Sequence, residues 1–233
     1  MKFQTLFFYL VLIASLTGCN SSVTFSPEHK AQTSGKYLYS PDEMMEVHYD
    51  GNRLLLHWKG ADTEPVVLDE NTFFVPDMYT KLRFVQDPNT KNRYLGKVSK
   101  TDETQVTYDY LKVADTFKTP SMYLKEKVYD KALEGFLAIR KQDSTANLVD
   151  EHQFNRMGYT YLRDKDYDNA IAVFKMNAAL FPESDNVYDS LADAYLRSGD
   201  SLQAFTNYSK ALELNSGNER AKRFMGAYNK KQD

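Results

Sequence analysis

Residues 151–184 read EHQFNRMGYTYLRDKDYDNAIAVFKMNAALFPES, and residues 185–218 read DNVYDSLADAYLRSGDSLQAFTNYSKALELNSGN. The two segments have the same length and align without a gap, and their large and small apolar residues then coincide. In each segment the first four matched positions fall at i, i+3, i+4 and i+7, which is one face of a helix. The matched pairs are Phe154 with Tyr188, Met157 with Leu191, Gly158 with Ala192, Tyr161 with Tyr195, Ala170 with Ala204 and Phe174 with Tyr208.

This pattern resembles the tetratricopeptide repeat, in which an aromatic residue, Leu-Gly, Tyr and Ala-x-x-x-Phe recur with a period of 34 residues. The resemblance implies that each segment forms two antiparallel helices, with Gly158 and Ala170 as small residues where the helices approach closely. Asn177 and Ser216 depart from the family pattern. We therefore predict a tetratricopeptide-repeat domain over residues 121–233, with repeats at 151–184 and 185–218 and a capping helix on each side.

In tetratricopeptide arrays the first helix of each pair lines the concave surface. The resemblance implies that the outward positions of these helices form a protein-binding groove, in which Tyr159 is a candidate anchor because aromatic residues dominate interface energetics. Arg163 and Arg197 can form forked hydrogen bonds with carboxylates. The alternative is that this face is ordinary solvated surface or packs on the rest of the protein. The predicted groove residues are His152, Asn155, Tyr159, Arg163, Asn186, Asp189, Asp193 and Arg197.

Between residues 35 and 115 the hydrophobic pattern changes to a period of two, which predicts β-strands. The turn signal Asp50-Gly51 predicts a hairpin with Val47 opposite Leu54. About eight short strands in a meander predict a small antiparallel β-barrel or a curved sheet, and the fold class is therefore α+β. Besides the hairpin, the predicted strands are 35–40, 65–68, 72–75, 81–86, 93–98 and 105–111.

The β region resembles the lipocalin-like domain found after the catalytic domain in many bacterial serine hydrolases of the β-lactamase and penicillin-binding class. The similar features are GKY at 35–37, the hairpin DGNRL at 50–54, and FF at 73–74 before LRF at 82–84. The resemblance implies a lipocalin-like domain over residues 35–115, and some of those hydrolases carry tetratricopeptide repeats in the same order. The catalytic motif Ser-x-x-Lys of these enzymes does not occur in this sequence.

An apolar run at residues 3–16 follows Lys2 and is too short to span a bilayer as an anchor. It leads into LTGC at residues 16–19, which resembles the lipobox of bacterial lipoprotein signal peptides. The resemblance implies a signal peptide at 1–18, acylation of Cys19, for example with palmitate, and attachment to a membrane. Asn20 favours the outer membrane under the sorting rule of that family. The alternatives are an ordinary secretory peptide with an incidental cysteine, or a free buried thiol.

Residues 19–34 are polar and include Pro27, so we predict an acylated cysteine followed by a flexible tether. Fifteen extended residues reach about 50 Å. The only cysteine of the chain is Cys19, which excludes an intramolecular disulfide. The formal net charge of -3 gives no basic field for nucleic acid.

No catalytic or metal-binding motif occurs in the sequence, and we predict no cofactor. The predicted hairpin places His48 and His57 about 13 Å apart, which is too far to share a metal ion. Asp189 and Asp193 lie one helical turn apart, and such a pair on an open helix face is typically a solvated or partner-facing patch.

Taken together, the sequence favours a non-catalytic, membrane-anchored envelope lipoprotein that binds another protein or peptide through its repeats. Two alternatives stay open. The chain could be an accessory module that acts in trans with a serine hydrolase, or it could carry a small apolar ligand inside the β domain. The second alternative requires an apolar cavity within the sheet.

Overall fold

A computed structural model of the protein describes residues 23–142 and 149–230. These residues form one antiparallel sheet of nine strands and eight α-helices, so the α+β class is confirmed. The strands are β1 (Gly35–Ser40), β2 (Glu43–Asp50), β3 (Arg53–Trp58), β4 (Ala61–Thr63), β5 (Val66–Val67), β6 (Thr72–Val75), β7 (Thr80–Gln86), β8 (Arg93–Lys97) and β9 (Tyr110–Val113). The helices are α1 (Pro27–Thr33), α2 (Pro120–Lys125), α3 (Tyr129–Gln142), α4 (Glu151–Arg163), α5 (Tyr167–Leu180), α6 (Asp185–Ser198), α7 (Ser201–Leu214) and α8 (Glu219–Asn229).

The sheet is a curled half-barrel with the strand order β4-β3-β2-β1-β9-β8-β7-β6-β5. Its two edge strands, β4 and β5, follow one another in the chain with only two residues between them. The concave side holds one hydrophobic core, because alternate residues of each strand point inward. The buried residues of this core are Phe25, Tyr37, Met45, Val47, Leu54, Leu56, Phe73, Val75, Leu82, Leu95 and Tyr110.

The hairpin formed by β2 and β3 pairs Val47 with Leu56, so the predicted pairing of Val47 with Leu54 is wrong by two residues. The connection begins at Gly51, one residue later than predicted, and Gly51 has a left-handed φ of 56°. Glycine adopts this conformation without a steric penalty. Because side chains alternate with a period of two, the shift leaves each one on its predicted face of the sheet.

Most of the other predicted strands are confirmed within one or two residues, and β6 has the predicted bounds. Two predictions differ from the structure. The strand β4 was not predicted, and the last strand begins at Tyr110 instead of residue 105. Residues 99–109 lie outside the named strands except for an isolated bridge between Val98 and Val106. The turn around Asp102 accounts for this, because its carboxylate accepts hydrogen bonds from the Thr104 backbone and hydroxyl.

The prediction of a flexible tether is wrong for the part of residues 19–34 that the structure describes. Phe25 is 4% exposed and packs in the sheet core. Ser26 caps α1 by accepting a hydrogen bond from the backbone N–H of His29, and the Tyr37 hydroxyl donates to the carbonyl of Thr33. Helix α1 therefore covers one end of the half-barrel. The polar composition of residues 19–34 predicts a tether, but burial of Phe25 and hydrogen bonds to the sheet, such as that from the Phe25 backbone N–H to Asn52 Oδ1 at 2.9 Å, hold this segment in place.

The helical part follows the predicted repeat. Helices α4, α6 and α8 begin at Glu151, Asp185 and Glu219, which are 34 residues apart, and α5 and α7 keep the same spacing. Helix α8 is therefore in phase as the first helix of a third unit. The close approach of helices within the first unit depends on Gly158, because a Cβ added there would lie 2.5 Å from the Phe174 ring.

The helical part contacts the outer side of the sheet near the β1–β2 turn. Asp42 accepts a hydrogen bond of 2.7 Å from the backbone N–H of Ser121, and Lys36 donates to the carbonyl of Asp115. The division into domains at 35–115 and 121–233 stays a prediction. No helix in residues 23–142 and 149–230 is long and apolar enough to cross a membrane.

Candidate functional site

The candidate site is the face formed by the first helices of successive repeat units, α4, α6 and α8. In a solenoid of helical pairs each unit contacts only its neighbours, so this face is built from side chains one repeat length apart. Arg220 of α8 occupies the position equivalent to Asn186 in α6 and His152 in α4. Arg220 was not predicted as a site residue.

Arg220 connects the three helices. One terminal nitrogen lies 2.7 Å from Asp189 Oδ2, and the other lies 3.1 Å from Asp193 Oδ2 and donates to the Tyr159 hydroxyl oxygen at 3.1 Å. Asp193 Oδ1 also accepts a hydrogen bond of 3.0 Å from Arg197 Nε. These contacts form one network across α4, α6 and α8.

The expected solvent exposure of the two carboxylates is wrong. Asp189 is 5% exposed and Asp193 is 6% exposed, because α8 lies against this part of α6. Burial raises the pKa of Asp189, and the positive charge of Arg220 offsets only part of this effect. A buried carboxylate is costly unless it is paired, so the Arg220 guanidinium stabilises both groups. Whether this face binds a partner stays a prediction.

Tyr159 is held from two sides. Its ring makes an edge contact with Phe174, with the ring centroids 5.2 Å apart, and its hydroxyl bonds Arg220. The ring is therefore part of the repeat core as well as of the face formed by α4, α6 and α8. A substitution that removes this ring would change packing and could not report on binding alone.

The remaining predicted groove residues lie toward the ends of the helices. His152, Arg163 and Arg197 are exposed, and Arg163 donates a hydrogen bond to the Thr160 hydroxyl. Asn186 bonds the carboxylate of Glu151 at 2.9 Å. Asn155 is half-buried on α4. All eight predicted groove residues lie on the neighbouring helices α4 and α6. The predicted acylation site, Cys19, lies outside the described residues.

A signal for Arg220 was present in the sequence. Continuing the 34-residue period beyond Asn218 places Arg220 at a predicted groove position. The last helix is predicted to cap the array, and a cap presents its basic residues, such as Arg220, Lys222 and Arg223, to solvent. Only the packing of α8 against α6 shows that one of these residues faces inward.

The second cluster that the structure assembles is on the sheet. With the observed register, His57 Nδ1 lies 2.7 Å from Asp62 Oδ1, and His48 Nε2 lies 4.0 Å from Asp62 Oδ2. The two histidines therefore share a carboxylate, and the predicted separation of about 13 Å is wrong because of the register shift. No group of three or more His, Cys, Asp or Glu side chains in the described ranges has a metal-binding arrangement.

A family model described as tetratricopeptide repeat matches residues 154–175 and 185–218. The C-terminal half therefore carries tetratricopeptide repeats, as predicted, and these repeats support a role in protein–protein interaction. No match to a curated protein is found.

Several solved structures are similar to part of this chain. A MamA structure is 26% identical over 42% of this chain and 51% of its own, with a TM-score of 0.29. The first tetratricopeptide domain of the human RPAP3 protein is 20% identical over 48% and 89% of the two chains, with a TM-score of 0.32. PcrH, in complex with the chaperone binding region of PopB, is 17% identical over 46% and 86%, with a TM-score of 0.31. This chain spans about half the length of the MamA structure.

Proposed function

We propose that this protein is an adaptor of the bacterial cell envelope that is anchored by lipid and binds an acidic segment of another protein on the concave face of its repeats. In this role the chain has no catalytic activity. The proposal combines the lipobox at residues 16–19 with the arginine-containing face of α4, α6 and α8.

The observation that carries the binding proposal is the pair Arg163 and Arg197. They occupy equivalent positions at the ends of α4 and α6, and both are exposed. Asp193 accepts a hydrogen bond from Nε of Arg197, so the two terminal nitrogens of Arg197 stay available for a ligand. A guanidinium that is already oriented loses less conformational entropy when it binds a carboxylate.

The spacing of these arginines suggests the form of the ligand. Packed helices lie about 8–10 Å apart. In a polyproline-II segment, residues three apart lie on the same side and are separated by about 9 Å. Two acidic residues at such positions could therefore reach Arg163 and Arg197 together, each through forked hydrogen bonds.

The binding proposal is tested by crosslinking in intact cells with tagged full-length protein, followed by identification of captured proteins. We expect Arg163→Glu with Arg197→Ala to reduce recovery of the partner about tenfold, which corresponds to about 1.4 kcal/mol. The matched control is Lys141→Glu with Lys175→Ala, since both lysines are exposed and lie on α3 and α5, outside the face formed by α4, α6 and α8. A partner that both variants capture equally well would place the binding surface elsewhere.

The position of Phe25 limits the distance between the proposed lipid anchor and the sheet. Because Phe25 is buried in the sheet core, six chain steps separate it from Cys19. Six steps span at most about 20 Å. The β region would therefore lie close to the membrane surface, instead of at the end of a tether of about 50 Å.

The anchor is tested by metabolic labelling with radioactive palmitate and by membrane fractionation. We expect wild-type protein to be labelled and to sediment with outer membranes, whereas Cys19→Ala is unlabelled. Label on the Cys19→Ala variant, or wild-type protein released in the soluble fraction after cell breakage, would contradict lipid anchoring. Because the groove variants keep Cys19, failure of one proposal leaves the other testable.

A further inference from the structure

The end of the half-barrel opposite α1 opens into a cavity of about 510 Å³. Its wall comes from the ends of several strands, including Tyr39 of β1, Trp58 of β3, Lys97 of β8 and Tyr110 of β9. Pockets for small organic ligands are typically about 300–1,000 Å³. The core below it is filled by side chains, so this space is a site at the mouth and not an internal cavity.

Ammonium groups and aromatic rings alternate around this cavity. Lys59 Nζ lies 4.4 Å from the centroid of the Trp58 ring, and Lys100 Nζ lies 5.0 Å from that of Tyr79. Lys97 lies over Tyr110 at 5.6 Å. Cation–π contacts hold the ammonium groups near the rings without neutralising their charge. Three lysines and a single carboxylate, that of Glu43, line the cavity, and Lys97 also pairs with the carboxylate of Asp109 at 3.4 Å. Lys59 and Lys100 therefore supply the positive charge that favours an anion at this end of the sheet.

Tyr110 adds a buried hydrogen-bond donor. The residue is 1% exposed, and its hydroxyl has no hydrogen-bond partner within the described part of the chain. Burial raises the pKa of Tyr110 to about 12, with smaller contributions from Tyr39 and Asp109, so the hydroxyl stays protonated at neutral pH. A buried polar group without a partner is uncommon in native proteins, and an acceptor on a ligand would satisfy it.

Two turns position these pairs at the cavity. Lys59 and Tyr79 both have left-handed conformations, with φ of 52° and 47°. Lys59 and Gly60 form the two-residue loop between β3 and β4, and such hairpin loops favour left-handed conformations. Tyr79 follows a single 3₁₀ turn at Pro76–Met78. Each turn therefore brings one member of a lysine–aromatic pair to the cavity.

We propose that this cavity binds a small organic anion with a flat aromatic body. The rings of Trp58, Tyr39 and Tyr79 would contact the body, and Lys59 and Lys100 would pair with the anionic group. The Tyr110 hydroxyl would donate a hydrogen bond to the ligand. This site is independent of the concave face of the repeats, and it differs from an apolar carrier site in its requirement for negative charge.

Trp58 is the only tryptophan of the chain, so its fluorescence reports on this cavity directly. The probes are anilinonaphthalenesulfonate and N-phenylnaphthylamine, which share an aromatic body and differ in the sulfonate. We expect the anionic probe to bind the full chain with a stoichiometry of one and to accept energy from Trp58. The uncharged probe should bind at least about tenfold more weakly, because it lacks the sulfonate that accepts charged hydrogen bonds from the lysines.

The decisive variant is Lys59→Gln with Lys100→Gln, because both lysines are exposed and the sheet core does not depend on them. We expect it to weaken the anionic probe about tenfold or more and to leave the uncharged probe unchanged. Tyr110→Phe, which keeps the ring, should weaken the anionic probe several-fold. The control is Lys91→Gln with Lys125→Gln, two exposed lysines away from the cavity, which should bind like wild type. Equal affinity for the two probes, or an unchanged affinity in Lys59→Gln with Lys100→Gln, would overturn the proposal.

Discussion

The sheet and the helical array bury their hydrophobic residues in different ways. The sheet closes on one core, to which Phe25 and Tyr110 contribute from opposite ends of the β region. The helical array divides its core between a cluster around Phe136 and Phe154 and a cluster around Phe174 and Tyr208. The sheet therefore depends on contacts between distant segments, whereas the array depends on contacts between neighbouring units.

This difference predicts how the two regions respond to substitution. In the sheet, a change at one position affects a core to which seven of the nine strands contribute, while in the array it affects one unit and its neighbours. The two responses can be measured separately in one sample. Trp58 fluorescence follows the sheet, because the only tryptophan lies there, and far-ultraviolet circular dichroism follows mainly the helices.

The largest expected effect is that of Phe25→Ala. Phe25 is 4% exposed in the sheet core, and removal of a buried phenylalanine costs about 3–5 kcal/mol. In urea denaturation, the Trp58 transition should move to lower urea concentration, while the helical transition moves less. Leu68→Ala is the control, since Leu68 is 46% exposed and the substitution should change stability by about 0.5 kcal/mol or less. Equal shifts of both transitions by Phe25→Ala would mean that the two regions unfold as one unit.

A pair of glycine substitutions tests the close packing within each region. At Gly96 an added Cβ would overlap the backbone oxygen of Thr107, and at Gly158 it would overlap the Phe174 ring. Overpacking typically costs about 1–3 kcal/mol. We expect Gly96→Ala to lower the free energy of unfolding by an amount at the upper end of this range, measured on the Trp58 transition. Gly158→Ala should cost about 1–2 kcal/mol on the helical transition, since a ring can shift more easily than a paired backbone.

The matched control for both is Gly226→Ala. Gly226 lies in α8 with no atom near an added Cβ, so alanine should stabilise the helix by about 1 kcal/mol. If Gly96→Ala or Gly158→Ala behaved like this control in chemical denaturation, the close packing at that glycine would be contradicted.

A smaller effect is expected for Arg220→Ala. The substitution leaves Asp189 and Asp193 without their shared guanidinium, and both carboxylates are buried. Because 41% of the Arg220 side chain is exposed, solvent reduces the loss, which we expect to be about 1–2 kcal/mol on the helical transition. Arg223→Ala, at an exposed position of the same helix, should have almost no effect. A loss of the same size for Arg223→Ala would show that α8 is stabilised by its overall charge.

The last prediction concerns pH, and the two regions should respond with opposite sign. Burial raises the pKa of Asp189 in the array. In the sheet, burial would also raise the pKa of Asp109, but hydrogen bonds from Thr107 and the Lys97 backbone lower it overall. A raised carboxyl pKa means that the folded protein binds a proton more readily than the unfolded chain, so this group favours folding more as the pH falls. A lowered pKa has the reverse effect, and its contribution is lost as the pH falls through the folded value.

We therefore expect the free energy of unfolding of wild type, relative to Asp189→Asn, to increase as the pH falls from 7 toward the unfolded aspartate value of about 3.9. The free energy of unfolding of wild type relative to Asp109→Asn should instead decrease as the pH falls below about 3.9, because the pKa of Asp109 in the folded protein is lower than in the unfolded chain. The measurement is urea denaturation of the three proteins at several pH values. Slopes of the same sign would contradict the opposite environments of the two carboxylates.

The helical part could be predicted largely from the sequence. Phe154, Gly158 and Tyr161 recur one period later as Tyr188, Ala192 and Tyr195, and this local spacing specifies both the helices and their packing. The candidate face could be predicted as positions on a helix. Its ion pairs could not, since they depend on how α8 packs against α6 and thereby brings Arg220 to Asp189.

The sheet could be predicted as a set of strands, but its pairings were less accurate. A tight turn can begin at Asp50 or at Gly51, and alternation alone does not distinguish registers that differ by two residues. The difference of one residue in the turn brings His48 and His57 to the same carboxylate of Asp62. Local pattern could not show this cluster, because it requires the correct pairing of three strands.

By itself the sequence determined the repeat length, the helical hairpins, the faces of the strands and the α+β class, because these follow from residue spacing along a single helix or strand. The folded structure was needed to show that Phe25 joins the sheet core, that Arg220 pairs with two buried carboxylates, and that Lys59 and Lys100 meet around one cavity. The physical reason is that these contacts join residues from separate elements, and their free energies depend on burial and distance, which exist only after the chain has folded.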